Sequence, residues 1–262
     1  MKQFLEGEAY YLRKDSLFKG LCVLFLLGSI ALLLLIATRV GIEADRPLKT
    51  LVTAVSFSPF FYFIIPIQAC FFFTEGFEHG SIKNIIASGH SRSLYIIGKY
   101  ISEITVIVWL IIQFFVCYYV LFIALALLGG TPIGDTNARE DWISVMRAIG
   151  FNILYLAVYS AVVMVISVLV KKTASSLIVT FFFIFGDFMF TGYFQKASSG
   201  ILRFLSNNTL TSQVLKFSGA NSFQIEAAIS NGYVHAMVLP IIIIPICLIA
   251  ALVIFGKRDI HI

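Results

Sequence analysis

The sequence predicts an all-α protein that crosses a membrane six times. Of its 262 residues, 59% are hydrophobic and only 13% are charged, and the mean hydropathy is +0.94. One soluble domain could not bury so much apolar surface. Several apolar runs also reach the roughly 20 residues that a helix needs to cross the hydrocarbon core. We expect residues 1–262 to form a single transmembrane domain, since no predicted loop is long enough to fold alone.

An interfacial helix is predicted over about 2–18, ahead of the first span. Phe4, Leu5, Ala9 and Leu12 recur at helical spacing, whereas Glu8 is placed elsewhere around the turn. The segment is therefore expected to lie at the membrane surface before the chain enters the bilayer.

The six spans are the runs of about 20 residues with few charges. The third run is too long for one crossing, so its first turns are expected near the headgroups, with Glu103 paired to Lys99 one turn earlier. The fifth is short and contains Gly186 and Asp187. The spans are placed at about 20–38, 51–73, 104–128, 148–170, 177–194 and 234–256.

Basic residues predict the orientation of these spans. Six crossings put both termini on one side, and the Lys171-Lys172 turn and the Lys257-Arg258 tail both lie directly against span ends. Cationic residues next to spans favour the cytoplasmic side. We therefore expect both termini in the cytoplasm, with these cations facing anionic membrane lipids rather than nucleic acid.

The sequence lacks the motifs of several enzyme classes. It has no G-x-x-x-x-G-K-[ST] loop for phosphates, no H-E-x-x-H motif and no G-x-S-x-G motif. No catalytic residue is predicted. The cysteines fall in different spans and the histidines are scattered, so no metal site is expected either.

A polar segment between the second and third spans predicts a short helix of its own. Gly89 is a natural left-handed stop, and Ser91 or Ser93 can cap the next helix. The apolar stripe of the short helix is too small to fold alone, so it should lie on the membrane or in a groove of another protein, and flanking charges of both signs favour the groove. The stripe consists of Ile82, Ile85 and Ile86.

This segment resembles the cytoplasmic segment that follows the second span in ABC-2-type exporter permeases. The resemblance is greatest to permeases of Gram-positive bacteria that handle antimicrobial or amphipathic peptides, in lantibiotic immunity or toxin-peptide export. Size, six-span plan, entry helix and a long loop before the last span agree as well. The matching residues are Glu78, Gly80, Ser81, Lys83-Asn84, Ser88-Gly89, Ser91-Arg92 and Lys99.

The resemblance implies a permease subunit of the bacterial plasma membrane that has no motor of its own. A cytoplasmic ABC ATPase dimer would bind ATP and Mg, and a second copy or a related permease would complete the path for a peptide substrate. Residues 77–88 would form a coupling helix in a groove of the ATPase. The implied ATPase-coupling residues are Glu75, Phe77, Glu78, Ile82, Lys83, Ile85, Ile86 and Arg92.

Asp187 is the best candidate for a functional charge within a span, because burying a charge in lipid is costly. It is expected to face a substrate path or a dimer interface together with Phe181 and Phe185; the alternatives are a hydrated position near the headgroups for Asp187 and lipid contact for the rings. Two other functions stay open. One is a membrane sensor or scaffold that docks a cytoplasmic partner, and the other is a proton-driven transporter that uses Asp187.

The loop before the last span is predicted to contain two short amphipathic helices within 201–217, because its apolar residues recur at helical spacing. They would either cap the span ends or assist substrate release.

Overall fold

The computed structural model describes residues 2–39, 50–51, 54–55, 58–89, 91–129, 138–194, 199–217 and 233–257. These residues are almost entirely helical and contain no strand, which confirms the all-α class for this part of the chain. The helices are α1 (Lys2–Lys14), α2 (Ser16–Arg39), α3 (Phe61–Glu78), α4 (Ser81–Ala87), α5 (Arg92–Leu128), α6 (Ala138–Val170), α7 (Thr173–Phe194), α8 (Gly200–Asn207), α9 (Leu210–Phe217) and α10 (Tyr233–Lys257).

Within the described residues, five helices are long and apolar enough to cross a membrane. The described part of the chain is thus all-helical, with the composition of a multi-pass membrane protein. The candidate spans are Ser16–Thr38, Arg92–Leu128, Trp142–Val170, Thr173–Phe194 and Met237–Lys257.

The predicted second span, 51–73, does not appear with those bounds. Residues 52–53 and 56–57 lie outside the described residues, a 3-10 turn occupies Ser58–Phe60, and α3 then runs to Glu78 rather than stopping at Phe73. Pro59 fits this turn, because its fixed φ and missing N–H suit the approach to a helix. α3 is not among the five candidate spans.

α6 lies at the centre of the bundle, where it packs against α3, α5, α7, α9 and α10. α2 packs mainly on α5. The ring of Phe25 in α2 stacks on Phe61 at 5.3 Å, and Phe61 meets Phe114 of α5 edge to face at 4.8 Å. These aromatic contacts join α2, α3 and α5 at one level of the bundle.

α5 is a single unbroken helix of 37 residues. At 1.5 Å per residue it is about 55 Å long, well beyond the roughly 30 Å hydrocarbon core. The Ser91 side chain accepts a hydrogen bond from the Leu94 N–H at 3.2 Å, so the predicted N-cap is confirmed. Gly89 has a φ of +92°, as its predicted role as a left-handed stop requires.

The predicted pairing of Lys99 with Glu103 is wrong. Glu103 is completely buried in the bundle, and its Oε2 accepts a hydrogen bond from Gln68 Nε2 at 3.1 Å. Lys99 instead forms an ion pair with Glu8 of α1 at 2.9 Å. Spacing within α5 could not predict either partner, because Gln68 belongs to α3 and Glu8 belongs to α1.

α1 packs against the first turns of α5. Its buried side chains are Phe4, Glu8 and Leu12, so the expectation that Glu8 lies away from the apolar face is wrong. The Phe4 ring rests on Gly98, where any Cβ would overlap it. Lys99 supplies the buried charge that lets Glu8 occupy this face.

Candidate functional site

The candidate site is built around α4 at one end of the bundle. α3 ends at Glu78, and Gly80 then takes a φ of +65°, which reverses the chain into α4. Phe77 and Glu78 therefore belong to the last turn of α3 and not to the predicted coupling helix over 77–88. The short helix itself is present, with its own start and stop as predicted.

The apolar stripe of α4 faces its own chain. Ile82 is completely buried beside Gly76 of α3, and Ile85 and Ile86 are partly buried against the same core. The end of α3 covers Ile82, whereas Ile85 and Ile86 stay partly exposed, so docking of the stripe on the membrane or in a partner's groove stays a prediction for those two residues. Ile82 in particular offers no surface to a partner.

The outward face of α4 is mainly polar. Ser81, Lys83, Asn84 and Ala87 are exposed, and the exposed Ser88-Gly89 turn follows them. A protein that docks on this face meets these residues, with Ile85 and Ile86 partly exposed beside them and Ile82 inaccessible.

The predicted acidic coupling residues join helix ends within the chain. Glu75 accepts a hydrogen bond from the Tyr11 hydroxyl of α1, and this bond raises the pKa of that phenol above its ordinary value. Glu78 Oε1 accepts from the Thr173 backbone N–H at 2.6 Å, at the start of α7. This hydrogen bond holds the pKa of the Glu78 carboxyl below its ordinary value.

Arg92 and Phe77 contact the last turn of α10. Arg92 Nη1 donates to the Gly256 carbonyl at 3.2 Å, so a cation lies where the helix dipole is negative. The Phe77 ring meets Phe255 edge to face at 5.9 Å. α1, the last turn of α10 and α4 thus share one end of the bundle.

Asp187 lies toward the other end of α7, half-buried. Its Oδ2 accepts hydrogen bonds from the Tyr159 hydroxyl at 3.2 Å, the Thr211 N–H at 2.8 Å and the Thr211 hydroxyl at 2.6 Å. The carboxylate therefore holds the first turn of α9 onto α6 and α7. Helices α8 and α9 confirm the predicted helical content of 201–217.

The two rings grouped with Asp187 have a different environment. Phe181 and Phe185 stack at 5.8 Å on the outer face of α7, and both are exposed. The structure does not bring them onto the Asp187 carboxylate, and their predicted role in a substrate path or dimer interface stays a prediction.

Sequence analysis missed Gln68, the polar side chain in the middle of the apolar run of α3. It is 4% exposed and reaches the buried Glu103 of α5. The signal was available, since an amide within such a run is costly to bury without a partner. Within the described ranges, no group of three or more His, Cys, Asp or Glu side chains is placed to hold a metal ion.

Comparison with known families identifies one family that matches most of the chain. A family described as "Protein of unknown function (DUF2705)" matches residues 41–261, which include α3, α4 and every later helix. The chain belongs to this family. The family's description names no activity. A search of curated proteins finds no match.

Proposed function

We propose that this chain is the transmembrane permease subunit of an ATP-driven ABC exporter, energised by a separate cytoplasmic ATPase dimer that binds ATP and Mg. In this proposal α3 is the second of six spans and both termini are cytoplasmic, in a bacterial plasma membrane. The cargo is an amphipathic peptide, and a second permease copy completes the path.

The packing of α4 against its own chain is the observation that supports the proposal. A coupling element has to transmit a push without bending, and α4 is packed through Ile82 onto α3 and joined through Ser91 to the capped start of α5. Glu78 and Arg92 tie these same helix ends to α7 and α10. Displacement of α4 would therefore move several candidate spans together.

The docking surface is the outward face of α4. Asn84 and Ala87 are exposed on it, next to the cation of Lys83. A partner groove for this face would need polar and acidic groups rather than an apolar slot. This differs from the apolar anchoring that the isoleucine spacing alone suggests.

The test is a tagged pull-down from native membranes, followed by an ATPase assay of the recovered material. We expect a stoichiometric ABC ATPase whose activity responds to amphipathic peptides. Asn84→Glu with Ala87→Glu should lower ATPase recovery about tenfold or more, since like charges facing an acidic groove cost over about 1.4 kcal/mol.

The matched control is Ile201→Glu, a new charge at an exposed position of α8 near the far end of α7. It should leave ATPase recovery unchanged. Recovery of the α4 variant at the control level would contradict the docking surface, and absence of any ATPase from the unaltered chain would contradict the proposed function.

The buried Glu103 carboxyl favours one alternative, a proton-driven transporter. Its Oε1 has no hydrogen-bond partner among the described residues, so it is a better proton site than Asp187, whose carboxylate is engaged by three donors. Transport that persists without ATP and collapses with a protonophore would support this alternative. A scaffold would instead bind its partner without any peptide-dependent ATPase response.

A further inference from the structure

A groove runs between α2 and α3 toward the end of the bundle that carries α4. The apolar part has a volume of about 300 Å³, the scale of small ligand sites. Among the side chains and backbone that line it are Leu17, Gly20, Leu24, Ile64, Ile67 and Phe71.

The open end of the groove is acidic. A second cavity of about 160 Å³ adjoins the apolar part, shares Leu17 with it and is lined by Asp15, Glu75 and Glu78. Three carboxylates thus line one end of a groove whose walls are aliphatic and aromatic.

These carboxylates accept hydrogen bonds from neutral groups of the chain. Asp15 accepts the Leu17 and Phe18 backbone N–H groups at 3.1 Å and so caps α2. Glu75 and Glu78 accept from a hydroxyl and a backbone N–H. None of these hydroxyl and backbone donors carries a charge, and the side chains of His79 and Lys172 lie near Glu78.

Gln68 lies where the two parts of the groove meet. It lines both cavities and is 4% exposed. Its Nε2 donates a hydrogen bond to Glu103, whereas its Oε1 has no hydrogen-bond partner among the described residues. An acceptor buried without a donor is costly, so this oxygen marks a position suited to an N–H group of a ligand.

We propose that this groove binds a primary ammonium amphipath with a single apolar chain. The ammonium lies between the carboxylates and Gln68 Oε1, and the chain lies along Leu24, Ile64 and Ile67. An ammonium offers three donors, which suits several separated acceptors. Binding does not require the ATPase; only the step from this ligand to exported cargo rests on the proposed function.

The experiment uses three photoreactive probes in nanodiscs of zwitterionic lipid. Each has the same twelve-carbon, diazirine-bearing chain and ends in a primary ammonium, a neutral hydroxyl or a carboxylate. Labelled peptides are mapped by mass spectrometry, with excess unlabelled dodecylamine as competitor. We expect competable ammonium labelling on α2 and α3, exceeding labelling by the hydroxyl probe about tenfold, because a hydrogen bond to a charged group and the nearby carboxylates both favour it.

Gly20 supplies a variant that blocks the groove. A Cβ there meets nothing within 4 Å, so Gly20→Phe projects into open space and should abolish competable labelling. Gly186→Phe is the matched control, since Gly186 of α7 is equally open, and it should label normally. Asp15→Asn with Glu75→Gln keeps the size of both groups and the α2 cap, and should reduce the ammonium preference about tenfold.

Three results would overturn the inference. One is equal labelling by all three probes. Another is competable labelling that survives Gly20→Phe. The third is a dimer that excludes the probes and that Gly20→Phe converts to monomer, which would make the groove an interface between copies. None of these bears on ATPase recovery, so the proposed function stands or falls separately.

Discussion

The packing of α4 against α3 can be tested at Gly76 by adding a single methyl group. A Cβ on Gly76 would overlap the Tyr95 hydroxyl, and would lie 3.3 Å from Tyr95 Cζ and 3.1 Å from Ile82 Cγ1. Tyr95 belongs to the first turn of α5 and is 1% exposed, and its hydroxyl has no hydrogen-bond partner within the described part of the chain. The clash is therefore due mainly to one oxygen atom.

The sizes of the effects follow from this geometry. Overpacking costs about 1–3 kcal/mol, and alanine in place of a helical glycine returns up to about 1 kcal/mol. Gly76→Ala should then destabilise by about 1–2 kcal/mol. Tyr95→Phe removes a buried, unsatisfied hydroxyl and should be neutral or stabilising by about 1 kcal/mol. The double variant should regain at least the stability of the unaltered protein.

The assay is reversible unfolding in mixed micelles, with Gly150→Ala of α6 as the matched control. Its Cβ meets nothing within 4 Å, so this control should gain up to about 1 kcal/mol. If Gly76→Ala is as stable as Gly150→Ala, or Tyr95→Phe fails to rescue it, the described packing of α3, α4 and α5 is wrong.

Three further predictions concern an ion pair, a turn and a cap. Glu8→Ala leaves the Lys99 ammonium buried and should lower the free energy of unfolding by about 3 kcal/mol in the same assay. Adding Lys99→Met should regain most of this loss. Full stability of the single variant would contradict the buried pair. Lys171 has a φ of +60°, so Lys171→Gly should stabilise by about 0.5–1 kcal/mol whereas Lys172→Gly should not, and equal effects would refute the assigned turn. Asp187→Ala should cost α9 about 1 kcal/mol of protection in amide exchange while Asp187→Asn keeps most of it, and unchanged exchange in both would count against the cap.

Local signals in the sequence predicted those parts of the fold that depend on neighbouring residues. The stop at Gly89 and the cap at Ser91 follow from backbone geometry and short side-chain reach, and both are present. The helices within 201–217 follow from periodic apolar residues. The existence of α4 could be predicted in the same way, since the residues that start and stop this helix are its neighbours in the sequence.

Contacts between helices could not be predicted from spacing. Spacing paired Lys99 with Glu103, but Glu8 and Gln68 from other helices took those partners. Likewise the spacing of the isoleucines in α4 correctly identified one apolar face, yet not that α3 would bury Ile82 completely. A stripe records that a surface must be buried, and only the tertiary arrangement decides whether the chain itself or a partner buries it.

Site-specific crosslinking at Ala87 tests the central claim most directly. A photoreactive amino acid at this exposed position of α4, with the same residue at Ile201 of α8 as control, is irradiated in native membranes. We predict a crosslinked species at Ala87, absent at Ile201, whose partner is an ABC ATPase by mass spectrometry. Crosslinks from Ala87 to lipid alone, with an assembled ATPase present in the same membranes, would contradict it.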